Sequence, residues 1–390
     1  MPRTPTRRTT WLTSRVPHVL ALTVLSPLAF SAGTLIGAVQ VRSAADLAKA
    51  AFVTNRGSDN VASFVVQPNG VVSGRPRLVA LPDGLRGAAA AVLSPDGRFL
   101  FVGSWGSHAI ATFSIDSFGT LTAVGSAPHP PAAASNTTGL AISADGRFLY
   151  AASYNDGAEG SVAVFSVGDD GMLSPLGEPA QTEGLGAVGI TLSPDGRRLY
   201  VAHMTSGTIS VFAVGDDGDL TLNGTTQSGD GTFSLLFSPT ASQLYAANAF
   251  DATISVYSVK SDGALELQAT PVASGAKEPR GIALSPDGKL VYVSHFNGGV
   301  GAGSVTRFTI RIDGALQRQG VPVQSGGRGA SALVARGTRL YVVNTNQREL
   351  AGSISSLMIA QDGSLSRQDA VLSTGGQSPD WGGLVLWPQK

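Results

Sequence analysis

The stretch Leu192–His203, LSPDGRRLYVAH, returns almost unchanged as Leu284–His295, LSPDGKLVYVSH. In each copy the Pro presets φ for a turn and the Gly accepts a positive φ, so the chain reverses tightly between two short apolar runs. The pattern predicts a β-hairpin. Its return indicates that the hairpin is part of a larger repeated unit.

Two independent markers show that the unit repeats seven times. An aromatic residue near the start of a β-like run recurs every 45 to 50 residues, at Phe52, Phe101, Tyr150, Tyr200, Tyr245, Tyr292 and Tyr341. A turn glycine follows each of them, at Gly70, Gly119, Gly171, Gly218, Gly263, Gly314 and Gly363, with Asp before it in five copies. A fixed period of this length is typical of a propeller or solenoid.

One of the repeats shows which of these two architectures applies. GIALSPDG (281–288), KLVYVSH (289–295), SVTRFTI (304–310) and ALQRQGVPVQ (315–324) are four short β-like runs separated by turn residues. No segment after residue 50 shows a sustained period of 3.6 residues. Four antiparallel strands per repeat predict the blade of a β-propeller, and seven repeats predict an all-β, seven-bladed ring.

The two ends of the chain complement each other. The first repeat opens at Ala51 with AFVTNRG, which matches a second strand, so it lacks a first strand. The chain finishes with GGLVLWPQ, 382–389, which matches the missing strand. We therefore expect the C-terminal strand to become the innermost strand of the first blade and to close the ring by main-chain hydrogen bonds.

Composition narrows the classes of partner. The 390 residues carry zero formal net charge, but six of the 27 basic and one of the 27 acidic side chains fall in residues 1–50, which leaves −5 for the remainder. No basic run remains that could neutralise a row of phosphates, so a nucleic-acid partner is not expected. The chain has no Cys, which excludes disulfides and a cysteine nucleophile.

Residues 1–50 have the layout of a signal peptide. An Arg-rich start is followed by a long uncharged apolar run, 16–41, and then by small residues. Small residues permit cleavage after Ser31, Ala45 or Ala50, and Thr6-Arg7-Arg8 leaves the twin-arginine route possible. We predict a signal peptide and linker over 1–50 and one propeller domain over 51–390, secreted or extracytoplasmic, without stable membrane insertion after cleavage. An uncleaved anchor is the alternative, since about 20 apolar residues can span a bilayer.

The repeats resemble a known family. AFVTNRGSDNVASF (51–64), LFVGSWGSHAIATF (100–113), LYVAHMTSGTISVF (199–212) and LYAANAFDATISVY (244–257), with their SPDG and DG turns, are similar to the seven-bladed propeller lactonases. These are the 6-phosphogluconolactonase-like proteins and their relatives with YVTN repeats. The resemblance covers nearly all of 51–390. It implies hydrolysis of a sugar lactone or related cyclic ester without a metal or cofactor, by a protein that we expect to be monomeric.

A ring of polar residues ends the second strand of every repeat, three positions after the anchor aromatic. Its members are Asn55, Ser104, Ser153, His203, Asn248, His295 and Asn344. They can cap the following loop by bonding to its backbone, as Asn and Ser commonly do. Alternatively, His203 and His295 point into a central funnel, where one of them acts as general base. The sequence leaves both interpretations open.

The loops on the same face offer the other groups that lactone hydrolysis needs. Arg280 is our candidate for stabilising the oxyanion, and it completes a catalytic set with His203 and His295. Candidate substrate-binding residues are Glu183, Asp230, Arg328 and Trp381; further ionisable loop residues are Arg86, His129, Lys277, Glu278 and Asp380. Gly281 stands where active family members often have His after Pro-Arg. A non-catalytic secreted propeller that binds a lactone or carbohydrate-like ligand is therefore the alternative function.

Overall fold

The computed structural model describes residues 49–130, 136–155, 158–240, 242–346 and 351–388. These residues form seven antiparallel sheets, and the innermost strand of each sheet contacts the innermost strands of its two neighbours, which closes a ring. The predicted all-β, seven-bladed propeller is confirmed. The segment 1–48, with the predicted signal peptide, lies outside the described residues.

The blades have the following strands, given from the axis outward. Blade 1 contains Pro379–Trp387, Ala50–Asn55, Asn60–Val66 and Val72–Ala80; blade 2, Ala88–Leu93, Phe99–Ser104, Ala109–Ile115 and Leu121–Pro128; blade 3, Asn136–Ile142, Phe148–Tyr154, Glu159–Val167 and Leu173–Leu185; blade 4, Ala187–Leu192, Arg198–His203, Thr208–Val214 and Leu220–Gln227. Blade 5 contains Thr232–Phe237, Gln243–Asn248, Thr253–Val259 and the pair Leu265–Leu267 and Val272–Ala273; blade 6, Pro279–Leu284, Leu290–His295, Ala302–Ile310 and Leu316–Arg328; blade 7, Ala330–Arg336, Arg339–Asn344, Ala351–Ile359 and the pair Leu365–Arg367 and Leu372–Gln377.

Short 3₁₀ turns are the helical structure of the described residues, at Arg56–Ser58, Pro82–Gly84 and Asn297–Gly299. No helix among the described residues is both long and apolar enough to cross a membrane.

The C-terminal strand closes the ring, as the two chain ends predict. Pro379–Trp387 pairs antiparallel with Ala50–Asn55, with Phe52 opposite Val385 and Ala51 opposite Leu386. Trp387 Nε1 donates a hydrogen bond of 2.7 Å to the Gly97 carbonyl in blade 2. The closure therefore joins the last strand of the chain to both its first strand and its second blade.

The two sequence markers meet where neighbouring blades pack together. The hydroxyl groups of Tyr200, Tyr245 and Tyr292 each donate to the carbonyl of the turn glycine in the next blade, at 2.9 to 3.0 Å. Tyr341 in blade 7 does the same to Gly70 in blade 1, at 2.7 Å. Seven of the apolar core clusters each combine side chains of two adjacent blades. The core is thus a circle of interfaces, and blade-to-blade packing sustains the fold.

The two faces of the ring differ in their chemistry. The SPDG turns lie on the lower face, where Asp96, Asp145, Asp195 and Asp287 each accept a hydrogen bond from the Ser two positions earlier, at 2.6 Å. The upper face is where second strands end and where first strands begin. Pro279 is paired with His295 there, and Ala187 with His203.

Candidate functional site

The strand-end ring lies on the upper face, but its side chains are enclosed within the blades. All seven have no exposed surface. Asn248 Nδ2 donates to Thr253 and Ser255, and Asn344 Nδ2 donates to Ser353 and Ser355. These bonds tie the end of the second strand to side-chain hydroxyls at the start of the third, rather than to the backbone of the loop between them.

His203 and His295 contact backbone carbonyl groups. His203 Nδ1 lies 3.2 Å from the Thr208 carbonyl, and His295 Nε2 lies 3.2 Å from the Ser274 carbonyl. Because a carbonyl only accepts, each of these nitrogens carries the proton in the neutral ring. Burial lowers the pKa of both histidines to about 4. Neither side chain lines the central cavity, so the alternative orientation into a funnel is not what the structure shows, and the role of general base stays a prediction.

Glycines lie against several of the larger strand-end side chains. The ring of His203 lies under Gly184, where a Cβ would come within 2.5 Å of it. In blade 3 the strand-end residue is the small Ser153, and the imidazole beside it is that of His129, which belongs to the preceding loop. His129 Nε2 lies 2.8 Å from Thr137 Oγ1, and burial lowers the pKa of His129 to about 4. In blade 3 the imidazole beside the strand end therefore comes from the preceding loop.

A cavity of about 200 Å³ lies on the axis of the ring. Every blade contributes to it from its innermost strand, and the lining is mostly aliphatic, with Val188, Ile190, Leu235, Ile282, Leu333 and Leu384 among its residues. Its two lining hydroxyls are already engaged: Thr138 Oγ1 donates to Ala187 O at 2.8 Å, and Ser234 Oγ to Arg280 O at 2.5 Å. Among the described residues that line this cavity, Arg280 is the one with a charged side chain.

Arg280 is fixed by aromatic and acidic neighbours. Its guanidinium carbon lies 3.4 Å from the ring centroid of Phe296 and 5.2 Å from that of Phe233. Nη2 lies 3.7 Å from Glu278 Oε2, and the Arg280 side chain is 16% exposed. Cation–π contacts and an ion pair of this kind fix the position of a guanidinium and still leave it able to bind a ligand. The cation predicted from the sequence is thus placed at the wall of the cavity.

A histidine at position 281, as in the family pattern, would press against the ends of two neighbouring side chains. A Cβ built at this position would lie 2.6 Å from Leu333 Cδ2 and 2.7 Å from Ser294 Oγ. Both distances are shorter than an ordinary contact, so neighbouring groups would have to move. The space that a side chain would need belongs to the interface between blades 6 and 7.

The other predicted binding residues are distributed around the rim. Glu183 and Asp230 are exposed, and their backbone amides are capped by Glu159 Oε1 at 2.9 Å and Asp251 Oδ2 at 2.6 Å. Arg328 is exposed in a separate groove between blades 6 and 7, beside Asn346. Trp381 belongs to the closing strand, but its side chain, like that of Asp380, is outside the described part of the structure. Of the predicted set, the central cavity therefore receives Arg280.

Three residues at the mouth of the cavity, Phe233, Phe296 and Tyr154, were not among the predicted site residues. Phe233 lines the cavity beside Arg280, and Phe296 covers the guanidinium. Trp105 stacks on Tyr154 with ring centroids 5.7 Å apart. Trp105, Tyr154 and Phe296 share one signal in the sequence, because each directly follows a member of the strand-end ring.

No metal centre is formed by the described residues, since they contain no group of three His, Asp or Glu side chains that could hold an ion.

Fold and site together define a class: a seven-bladed β-propeller whose axial cavity carries a guanidinium between aromatic rings. Residues 128–235 and 223–300 match the sequence profile of the family described as Lactonase, 7-bladed beta-propeller. The resemblance to the propeller lactonases is thereby confirmed. No curated protein is similar enough in sequence to count as a match.

Solved structures of similar fold include three with relevant descriptions. A putative 6-phosphogluconolactonase from Bacteroides fragilis has a TM-score of 0.74 and 21% identity, covering 88% of this chain and 99% of that one. A putative 6-phosphogluconolactonase from Bacteroides uniformis has a TM-score of 0.72 and 20% identity, covering 86% of this chain and 98% of that one. The periplasmic gluconolactonase PpgL of Pseudomonas aeruginosa has a TM-score of 0.70 and 20% identity, and the match covers 86% of this chain and 98% of that one. At these identities the likeness concerns the fold.

Proposed function

We propose that this protein is an exported lactonase-like hydrolase that opens an unphosphorylated lactone or related cyclic ester in the axial cavity. The observation that carries the proposal is the position of Arg280, the one charged side chain among the described residues that line a mostly aliphatic cavity built by all seven blades. The similarity to the lactonase family supports the choice of reaction. The domain division, with a cleaved segment over 1–50 and a monomeric propeller over 51–390, is part of the same proposal.

Arg280 would stabilise the negative charge that develops on the carbonyl oxygen during hydrolysis. When water attacks the lactone carbonyl, the carbonyl oxygen becomes an oxyanion, and a guanidinium already in place stabilises that charge without reorganisation. The contacts with Phe296 and Phe233 keep the side chain at the cavity wall before the substrate arrives. The ester C–O bond then breaks, and the ring oxygen leaves as an alcohol after taking a proton.

Glu278 is our candidate for the base that activates water. Its carboxylate contacts Arg280, its side chain is 32% exposed, and Oε2 accepts a hydrogen bond from the Gly298 amide at 3.3 Å. It therefore lies where solvent and the cation meet. His203 and His295 would have to leave buried positions to reach the cavity, so we assign them second place for this role.

The charge of the cavity favours an unphosphorylated substrate. A phosphate group carries up to two negative charges and is usually held by several cationic or amide donors. The described lining supplies one guanidinium. A neutral lactone ring needs no more than that.

A binding protein without catalytic activity is the second candidate. It is favoured by one observation: the described residues that line the cavity include no His, Asp or Glu. Such a protein would bind the same lactones through Arg280 and release them unchanged.

The test is a pH-stat assay of the full-length protein, as exported by its host, against a panel of lactones. We expect turnover in the wild type and a loss of about 10² to 10³ in kcat/KM for Arg280→Gln. Arg198→Gln is the matched control, because Arg198 is also half-buried and bonds to the Asp262 carbonyl at 2.8 Å on the lower face. Equal turnover in wild type and Arg280→Gln would refute the assignment, and binding of lactones without turnover would favour the second candidate.

A further inference from the structure

The residues that follow the strand-end ring form a second ring at the mouth of the cavity. They are Arg56, Trp105, Tyr154, Met204, Ala249, Phe296 and Thr345. In blades 2 to 4 this position holds Trp, Tyr and Met, three large side chains that are half-buried. A half-exposed apolar surface beside a cavity is the usual setting of a ligand-binding site.

These three side chains are continuous with the cavity. Trp105 stacks on Tyr154 at an interplanar angle of 23°. Tyr154 and Met204 pack against Val188 and Phe233 in a small apolar cluster separate from the blade interfaces. Val188 and Phe233 also line the cavity. We call Trp105, Tyr154, Met204 and Phe233 the mouth wall.

The mouth wall is held in place from behind. The guanidinium carbon of Arg56 lies 4.8 Å from the ring centroid of Trp105. Gly87 and Gly186 bring their backbones close to the two rings, and a Cβ at these positions would lie 2.9 Å from Trp105 Cβ and 3.0 Å from Tyr154 Cε2. Both glycines have φ near +74°, a conformation in which other residues are strained. A surface that is fixed in this way loses little entropy when a ligand binds.

We propose that the mouth wall binds an apolar substituent of the lactone whose ring occupies the cavity, and that the substrates are lactones with an alkyl or aryl side chain. This inference rests on the proposed function. The cavity of about 200 Å³ has room for roughly seven waters at about 30 Å³ each, which is the size of a small lactone ring. A longer substituent must extend outward, and the mouth wall offers it aromatic rings and a flexible thioether without a charge.

The experiment is a series of γ-lactones with alkyl chains of increasing length, measured with the full-length protein. Each methylene that reaches the mouth wall should raise kcat/KM by up to about fourfold, the equivalent of about 0.8 kcal/mol. Trp105→Ala and Met204→Ser should reduce the ratio between long-chain and short-chain lactones at least tenfold. Phe118→Ala is the control, since Phe118 is an aromatic residue that is 86% exposed at a lower-face turn, and it should keep the wild-type ratio.

A second series separates this inference from the proposed function. Lactams of the same chain lengths resist hydrolysis, so titration calorimetry measures their binding without turnover. If the rate of hydrolysis does not depend on chain length, the proposed binding role of the mouth wall is refuted and the proposed hydrolase function still stands. A different result is that the wild type binds lactams more tightly as the chain lengthens, that Met204→Ser loses this gain, and that no lactone is hydrolysed. This result would support the binding role of the mouth wall and refute the proposed hydrolase function. An equal loss in Phe118→Ala would also overturn the inference.

Discussion

Replacing His203 by Asn should make the protein more resistant to acid. Burial lowers the pKa of His129, His203 and His295 to about 4 in the folded protein, whereas a histidine in the unfolded chain has its usual value near 6.5. Between these values the unfolded state binds more protons than the folded state. The free energy of unfolding is therefore highest above pH 6.5 and falls as the pH drops toward 4.

The size of the effect follows from the two pKa values. At about 1.36 kcal/mol per pKa unit, each histidine costs on the order of 3 kcal/mol once the pH is below 4, and about 2 kcal/mol at pH 5. Three of them together remove about 6 kcal/mol at pH 5, a large part of the 5 to 15 kcal/mol typical of a folded domain. The aspartates of the lower-face turns act in a different range, because hydrogen bonds from Ser143 and Arg147 lower the pKa of Asp145 to about 2. Their stabilisation is lost only below pH 4.

The assay is denaturant unfolding at pH 7 and pH 5, followed by tryptophan fluorescence. His203→Asn should lose about 2 kcal/mol less than the wild type between the two pH values, because Asn248 shows that an amide can occupy the equivalent strand end. His108→Asn removes an exposed histidine whose charge contributes, after burial, to the lowered pKa of His129, so it should reduce the loss by less than His203→Asn does. Equal losses in wild type and His203→Asn would refute the buried, neutral state of this ring.

Two further predictions concern packing. Deleting Gly382–Lys390 removes the buried side chains Leu384, Leu386 and Trp387 and opens the inner edge of blade 1, which should cost about 5 kcal/mol or more of stability and lead to aggregation. Deletion of residues 389 and 390 alone is the control. An unchanged Tm of the protein that lacks Gly382–Lys390 would contradict the closure. Introducing the histidine of the family pattern by Gly281→His should lower stability by about 1 to 3 kcal/mol without raising turnover. Gly106→Ala, whose added Cβ would have its nearest neighbour at 3.6 Å, should be well tolerated. A stable Gly281→His variant with faster lactone hydrolysis would show that the space at blade 6 is available after all.

The sequence predicted the fold because its signals are local and repeated. The anchor aromatics and the turn glycines each mark a position in a hairpin, and the match between Ala51 and the C-terminal strand needs only the strand period. The hydrogen bond from Tyr341 to Gly70 shows why these markers keep a constant spacing: they meet between blades.

The direction of the strand-end side chains was not predictable from the same pattern. Each first strand has a register irregularity beside the strand end, for example between Ala187 and Gly189 opposite His203. One extra residue in the first strand changes which of its side chains lie beside the strand end, so alternation along the sequence could not place the strand-end side chains relative to the first strand. Arg280 could be chosen from its motif, but Phe233 and Phe296 could not, because their role depends on contacts between blades 5 and 6.

The position of a bound ligand tests the central claim most directly. A crystal structure of the protein with a lactam analogue should show the lactam ring in the axial cavity, with its carbonyl oxygen within hydrogen-bond distance of the Arg280 guanidinium, at about 2.8 to 3.2 Å. A lactam bound elsewhere, for instance beside Arg328 in the groove between blades 6 and 7, with the axial cavity holding only water, would contradict it.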